Sequence, residues 1–247
     1  MITSPVDYRA KIVELLSIWD AGLSRKSVQM RSDIHHHSVP VLIRGLAAHA
    51  SDCTRGVLTL YKNHLTVPAI PIVRAVMEDA TTAAWLLVDA DAWHSFISDG
   101  AVSRKKALKQ MAVLNPSDVV IADRLSETDD LLNKLGQPSG HKIEQRMNSL
   151  AGAENMYLMY RAASAMSHAD SAIVDLYTDA DPNSDLGVVW RNHASFSNAS
   201  AYIAVAATNL LHALLAWDTC LVDRPDQEQL ERIAEEFGVR STFERRA

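Results

Sequence analysis

Residues 72–87 have the sequence IVRAVMEDATTAAWLL, in which apolar side chains recur at the spacing of an α-helix. Arg74 and Glu78 lie four positions apart, so both point to one side of that helix. The other positions are mostly apolar, and a polar pair in such a setting needs partners if it is buried. The pattern therefore predicts a core helix that carries one polar stripe.

A second polar stripe is predicted in residues 160–176, which have the sequence YRAASAMSHADSAIVDL. Tyr160, Ser164 and His168 follow one another at four-residue intervals and would share one side of a helix. If the two helices pack together, the stripes can satisfy each other's hydrogen bonds. We therefore expect Glu78 to lie within hydrogen-bonding distance, roughly 2.6–3.2 Å, of at least one of these three side chains.

Composition restricts the class of protein before any motif is considered. The 247 residues are 48% hydrophobic and 22% charged, which is ordinary for a folded globular protein and excludes disorder as the main state. The formal net charge of −6 and the pI of about 5.9 provide no general attraction to nucleic acid. Generic DNA binding is therefore disfavoured.

The chain shows no targeting or disulfide signal. Its first residues, MITSPVDYRAK, lack the basic and apolar regions of a signal peptide, and no run of about 18 apolar residues occurs. We therefore expect a cytoplasmic protein that does not bind membranes. Cys53 and Cys220 lie in helical, apolar settings without a CxxC motif, so buried thiols are expected rather than a disulfide or a zinc site.

Helical periodicity extends over almost the whole chain. The first helix is predicted to start at Ser4, and Pro68 and Pro71 are expected to separate the second helix from the third. The step at residues 89–92 either continues the third helix or bends it, and the polar segment Thr178–Gly187 is expected to be a loop. The later helices are predicted to cover, approximately, residues 39–65, 71–88, 93–97, 103–114, 117–135, 141–150, 153–177, 197–222 and 226–237.

These elements define the expected fold class. The sequence contains no alternating strand pattern and no internal repeat. It predicts one all-α domain over residues 1–238, a bundle of about eight or nine helices, followed by a short, basic, frayed tail at residues 239–247. Residues 197–222 carry apolar side chains on more than one face and are expected in the interior.

The two stripes together resemble a bacterial, all-helical family of unknown function. In that family an R-x3-E helix leads into a W-L-L end, as at Arg74, Glu78 and Trp85, and a later helix carries Y-x3-S-x3-H. The resemblance covers roughly residues 71–173. It implies a helical fold and a shared polar cluster, but no activity.

Helical families of this kind are sometimes compared with HEPN domains, which cleave RNA and carry the motif R-x4–6-H. Arg161 and His168 fit that spacing, although about two such matches are expected by chance and Ala162 is not the polar residue that usually follows the arginine. Unlike the other R-x4–6-H spacings in this sequence, this pair lies beside further polar residues, Tyr160 and Ser164. The resemblance implies His168 as acid and base, with Arg161 stabilising charge on the phosphorane.

Each of these residues can also have a purely structural role. Arg74 and Glu78 can be a surface pair worth about 0.2–0.5 kcal/mol. If the Glu78 carboxylate is instead buried and accepts a hydrogen bond from the second stripe, Glu78→Ala should lower the free energy of unfolding by roughly 2–4 kcal/mol. His168 can be an ordinary core histidine. Ser164 lies in the middle of a predicted helix, without the strand-turn-helix elbow of serine nucleophiles, and its hydroxyl can instead bond to a backbone carbonyl of its own helix.

Metal and cofactor sites are not expected. His35, His36 and His37 are consecutive and point in different directions, and the chain contains neither H-E-x-x-H nor E-x-x-H. Residues 103–106 with Lys109 form a basic cluster, which is typical of a solvated helix face and less often of a phosphate or RNA site.

Three classes of function remain open. The first is a binding or regulatory module in which Arg74, Glu78 and Tyr160 contact a ligand in a pocket. The second is a HEPN-like, metal-independent ribonuclease that uses Arg161, Ser164 and His168, and the third is a structural or dimerisation protein. The corresponding partners are a small molecule, RNA or a second copy of the chain, and the sequence does not determine whether the protein is an enzyme.

Overall fold

The computed structural model describes residues 6–25, 27–136, 142–153, 155–169, 171–194 and 196–246. The helices are α1 (Tyr8–Leu23), α2 (Ser38–Lys62), α3 (Thr66–Val88), α4 (Ala92–Leu114), α5 (Val119–Leu135), α6 (Ile143–Asn148), α7 (Met156–Ala165), α8 (Ser171–Asp175), α9 (Ala199–Thr219) and α10 (Gln227–Phe237). Two short strands, β1 (Thr178–Ala180) and β2 (Val188–Trp190), complete the described elements. The predicted all-α class is confirmed, with ten helices in the described part rather than eight or nine.

Helix α9 lies at the centre of the main core. It contacts α1, α2, α3 and α10, and its buried residues extend from Tyr202 to Asp218. By length and composition it could span a membrane, with a mean hydropathy of 1.5, but 61% of its most apolar stretch is buried inside the protein. Such burial is typical of a core helix, and the predicted interior position of this segment is confirmed.

Helices α2 and α3 form a helical hairpin against α9. The expected break at Pro68 and Pro71 is wrong, because α3 already begins at Thr66 and contains both prolines. Pro68 lies in the first turn, where backbone N–H groups have no partner within the helix, so its missing N–H costs little there. The reversal of direction is instead made by residues 63–65, with His64 at a φ of 60°.

Several predicted helix ends are shifted. The first helix is capped by Asp7, whose side chain accepts from the N–H groups of Arg9 and Ala10, while the predicted Ser4 start lies outside the described residues. The predicted helices 93–97 and 103–114 are one helix, α4. The helix predicted at 117–135 begins at Val119 and is capped by Asp118, because its carboxylate accepts from two N–H groups of the first turn.

The predicted long helix at 153–177 is wrong. Helix α7 ends at Ala165, and α8 is a separate short helix. The Ser167 hydroxyl donates to the Ala163 carbonyl at 2.7 Å, a bond that also occurs within the continuous helix α2 at Ser51 and Thr54. His168 therefore lies in the turn after α7, and the proposed Y-x3-S-x3-H helix holds only Tyr160 and Ser164.

A small hairpin replaces part of the predicted loop after α8. Strand β1 pairs with β2 in antiparallel register, with Thr178 opposite Trp190, and Gly187 turns the chain at a φ of 71°. The expectation of no strands was therefore wrong at this point. The hairpin adds no layer to the bundle, so the fold class is unaffected.

The segment that follows α10 packs against the protein instead of fraying. Gly238 ends α10 in the left-handed conformation, and the Phe243 side chain then packs against the core. Backbone hydrogen bonds join this segment to the α6–α7 connection, from the Ala151 N–H to Glu244 at 3.0 Å and from the Arg246 N–H to Ser149 at 2.8 Å. Residues 238–243 thereby reach the ends of α3 and α9.

Candidate functional site

Helices α3 and α7 are joined by a ring of three polar side chains. Arg74 donates from Nη2 to the Tyr160 hydroxyl at 2.9 Å, and that hydroxyl donates to Glu78 Oε1 at 2.9 Å. The ring is closed by the ion pair between Arg74 Nη2 and Glu78 Oε1 at 3.0 Å. The two predicted stripes therefore meet through Tyr160, at the expected distance. We call these three residues the polar ring.

The polar ring keeps its tyrosine protonated at neutral pH. Burial raises the pKa of Tyr160, the hydrogen bond from Arg74 lowers it, and the neighbouring Glu78 carboxylate raises it further. The Arg74 guanidinium lies 5.2 Å from the centre of the tyrosine ring, within cation–π distance. The hydroxyl can thus act as donor to Glu78 and acceptor from Arg74 at the same time.

The polar ring is only half-buried. Tyr160 is 9% exposed, whereas the side chains of Arg74 and Glu78 are 27% and 40% exposed. This places Glu78 between the two sequence-based alternatives, a surface pair and a buried carboxylate. The charged ends reach solvent while the aromatic ring packs inside, beside Met77 and Met147.

The remaining predicted site residues do not join the polar ring. Ser164 is partly buried, and Arg161 and His168 are exposed. No hydrogen bond links Ser164 or His168 to Glu78 among the residues that the structure describes. Because α7 ends before His168, the spacing of eight residues from Tyr160 to His168 does not place both side chains on one face of a helix. The catalytic roles of these residues stay predictions.

Arg146 on α6 is a largely buried cation that packs against the face of α3 that carries Arg74, and no sequence motif marks it. Its guanidinium lies 4.8 Å from the ring centre of Trp85 and 5.6 Å from that of Phe96. It donates to Thr82 Oγ1 at 3.1 Å and lies 3.7 Å from a carboxylate oxygen of Asp99. Burial lowers its pKa, while nearby carboxylates act in the opposite direction. This cation attaches α6 to α3 and α4.

A cavity of about 280 Å³ lies near the polar ring, between α3 and α9. It is bounded by one face of each of these helices, by the α6–α7 connection at residues 150–153, by Met156 at the start of α7 and by residues 238–243. A water needs roughly 10–15 Å³ of such space, so the cavity can hold a small organic molecule. Arg74, Glu78 and Tyr160, the predicted ligand-binding residues, do not line it.

The cavity wall contains polar atoms without a hydrogen-bond partner in the described part of the chain. Thr81 Oγ1 and Asn209 Oδ1 are both buried and unpaired, on residues that are 1% and 4% exposed. The amide nitrogen of Asn209 is occupied, because it donates to the Val205 carbonyl at 2.8 Å. Both oxygens are covered by neighbouring protein atoms, so a ligand in the cavity reaches either one only if its side chain rotates. The hydrogen bond formed then would recover free energy that an unpaired buried oxygen costs.

His212 adds a third polar group to the cavity wall. Burial lowers its pKa to about 4, and a hydrogen bond with the backbone of Arg240 acts in the opposite direction. The ring is therefore neutral at pH 7. Its edge-to-face contact with Phe243, at 5.9 Å between ring centres, holds it against the segment after α10.

In the histidine run before α2, His36 makes contacts that hold the local structure. His36 Nδ1 accepts from the Ser38 N–H at 3.1 Å, and the ring stacks on Trp93 at 3.6 Å between centres. Among the described residues, no group of three or more His, Cys, Asp or Glu side chains is arranged so that it could hold a metal ion. In the basic cluster on α4, Lys105 forms an ion pair with Asp129 of α5.

The fold and the site define the class of this protein, an all-helical bundle in which a polar ring joins two helices beside a small cavity. The chain belongs to DUF5677, a family of unknown function, which matches residues 41–185 and thus more than half of the sequence. The match contains the whole polar ring and Arg146, and it ends before α9. No curated protein and no solved structure matches the chain.

Proposed function

We propose that this protein is a binding module that holds one small, uncharged molecule in the cavity between α3 and α9. The observation that carries the proposal is the pair of buried, unpaired oxygens of Thr81 and Asn209 in the cavity wall. A cavity built only for packing would have no use for polar atoms that lack partners. The proposal includes the cytoplasmic location expected from the sequence.

The chemistry of the wall favours one kind of ligand. Asn209 Oδ1 can only accept a hydrogen bond, the Thr81 hydroxyl can accept or donate, and His212 is neutral. Most of the other wall residues are alanines or apolar side chains. A neutral ring with an N–H or O–H donor satisfies this wall. Arg240 also lines the cavity, but its side chain is 61% exposed and paired with Glu244, so a charged ligand would lose its hydration without a buried counter-charge.

In this proposal the polar ring positions the cavity wall. Met156, which lines the cavity, lies one helical turn before Tyr160 on α7. The bonds from Arg74 and Glu78 to Tyr160 fix α7 against α3, and with it the position of Met156. The ligand-binding role predicted for the three polar residues is thereby replaced by a positioning role.

Substitution of two neighbouring threonines tests whether the Thr81 hydroxyl lacks a hydrogen-bond partner. Thr81→Val should raise the free energy of unfolding by about 1 kcal/mol, because it removes a buried polar group that has no partner. Thr82→Val makes the same change one residue further on and should lower it by about 1–2 kcal/mol, since Thr82 accepts from Arg146. Urea unfolding of both variants measures the difference. Equal destabilisation by the two changes would contradict the proposal.

Binding itself is measured by NMR titration with benzamide, phenol and uracil, three neutral probes with hydrogen-bond donors. At least one should shift the resonances of His212 and Met156. Ala84→Leu, which places a larger side chain in the cavity, should abolish the shift, and Thr81→Val should weaken binding by about tenfold, the equivalent of one hydrogen bond. The proposal is rejected if none of the probes binds, or if both variants bind the probe as tightly as the unsubstituted protein does.

We keep a HEPN-like ribonuclease as a second candidate function. It is supported by the R-x6-H spacing and by the exposure of both Arg161 and His168, which an RNA strand could therefore reach. Expression should then be toxic to the host, and His168→Ala should abolish the toxicity while His193→Ala, at another exposed histidine, should not. The absence of toxicity, or equal toxicity of both variants, excludes this candidate.

A further inference from the structure

A line of three reactive side chains lies outside the polar ring and the cavity. His49 and Cys53 are one turn apart on α2, and the His49 Nε2 to Cys53 Sγ distance is 3.5 Å. On the opposite side of the imidazole, Nδ1 lies 2.7 Å from Asp79 Oδ2 on α3. Cysteine, histidine and carboxylate thus stand in the order used by enzymes that activate a thiol.

The hydrogen-bond partners determine what each ring nitrogen does. Asp79 is a carboxylate acceptor, so Nδ1 carries the proton and donates to it. Nε2 is then left with its lone pair directed at Cys53 Sγ, where it can accept the thiol proton. Asp79 would stabilise the resulting imidazolium. The line therefore contains a base and a group that orients it.

The base is needed because the Cys53 thiol does not ionise readily. Burial raises its pKa, and the carboxylates of Asp79 and Asp52 raise it further. Direct removal of the proton by His49 avoids a free thiolate in these surroundings. The site is also accessible, since the His49 side chain is 60% exposed and Cys53 is only partly buried.

The position of Cys53 in the middle of α2 restricts the reaction. The backbone N–H groups around it are used in the helix, so they cannot form the oxyanion hole that acyl transfer requires. Attack on a sulfur atom forms no oxyanion and needs no such donors. We propose that Cys53 is a modification site for thiol–disulfide exchange with a small disulfide, activated by His49 and Asp79.

The reaction balances with the disulfide as the only co-reactant. Cys53 Sγ loses its proton to His49 Nε2 and attacks one sulfur of the disulfide. A new S–S bond forms to Cys53 as the original S–S bond breaks, and the leaving thiolate takes the proton from His49. Because the carboxylates of Asp52 and Asp79 act on Cys53, a neutral or cationic disulfide is preferred over an anionic one.

The test uses the neutral probe 4,4′-dithiodipyridine on the full-length protein carrying Cys220→Ser. Release of 4-thiopyridone gives the rate, and mass spectrometry locates the adduct. The expected adduct is on Cys53, and His49→Gln should slow its formation at pH 7 by about tenfold or more. His64→Gln, at an exposed histidine just beyond α2, is the matched control and should leave the rate unchanged.

Three outcomes would overturn the proposal. The first is an equal rate for His49→Gln and His64→Gln, and the second is the same rate for the anionic probe 5,5′-dithiobis(2-nitrobenzoate) as for the neutral one. The third is an adduct on Cys220 in the unsubstituted protein that forms as fast as the one on Cys53. Circular dichroism verifies that each variant is folded, and Asp79→Asn provides an independent second variant that should also slow the reaction.

Discussion

Arg146→Ala should lower the free energy of unfolding by about 3 kcal/mol, because it removes a buried cation with several partners. The variant loses the cation–π contacts with Trp85 and Phe96 and the hydrogen bond to Thr82, and it leaves Asp99 without its partner. Chemical unfolding followed by circular dichroism measures the change.

Arg124→Ala is the matched control for this prediction. Arg124 lies on α5 with its side chain 65% exposed, and its one ion pair within the described part of the chain is with Glu127 of the same helix. Its loss should cost less than about 0.5 kcal/mol. If both variants unfold at the same denaturant concentration, Arg146 does not attach α6 to α3.

Acidification should destabilise the protein through His212. The pKa of His212 is lowered to about 4 in the folded state, against about 6.5 when the chain is unfolded. Between these values the unfolded chain binds more protons, so stability is lost as the pH falls from about 6.5 to 4. We expect a loss of about 2–3 kcal/mol from this one group over that range.

The contribution of His212 is isolated by comparison with a variant. Urea unfolding at several pH values should show that the free energy of unfolding falls less with acidification in His212→Gln than in the unsubstituted protein. Asp79, whose pKa is raised to about 6 mainly by burial, changes stability in the opposite direction over the same range. It is present in both proteins and cancels in the comparison. Identical pH profiles would show that His212 is not held neutral.

Local sequence patterns predicted the parts of the fold that depend on neighbours along the chain. The interior position of α9 follows from apolar residues on several faces, and the four-residue spacing of Arg74 and Glu78 placed both on one side of α3. The expectation that Glu78 meets at least one residue of the second stripe was correct, and that residue is Tyr160. Each of these features can be predicted from two rules: helical periodicity, and the requirement that buried polar groups have hydrogen-bond partners.

The sequence could not predict features that depend on where separate segments meet. Helix α7 ends at Ala165, before His168, although the helical pattern of the sequence continues through this position. The cavity wall combines Thr81, Asn209 and residues 238–243, which are far apart along the chain. Cys53 and His49 show a helical spacing, but Asp79, which orients His49, comes from another helix.

The central position of α9 has a consequence for how the chain folds. The α2–α3 hairpin forms from adjacent residues, yet the helix that covers its apolar face begins only at Ala199, after the whole segment 89–198. Closing so long a loop costs entropy before any contact with α9 is gained, so we expect folding to be slower than in bundles of sequential helices. Until α9 docks, the hairpin exposes apolar surface, and aggregation competes with folding during that interval.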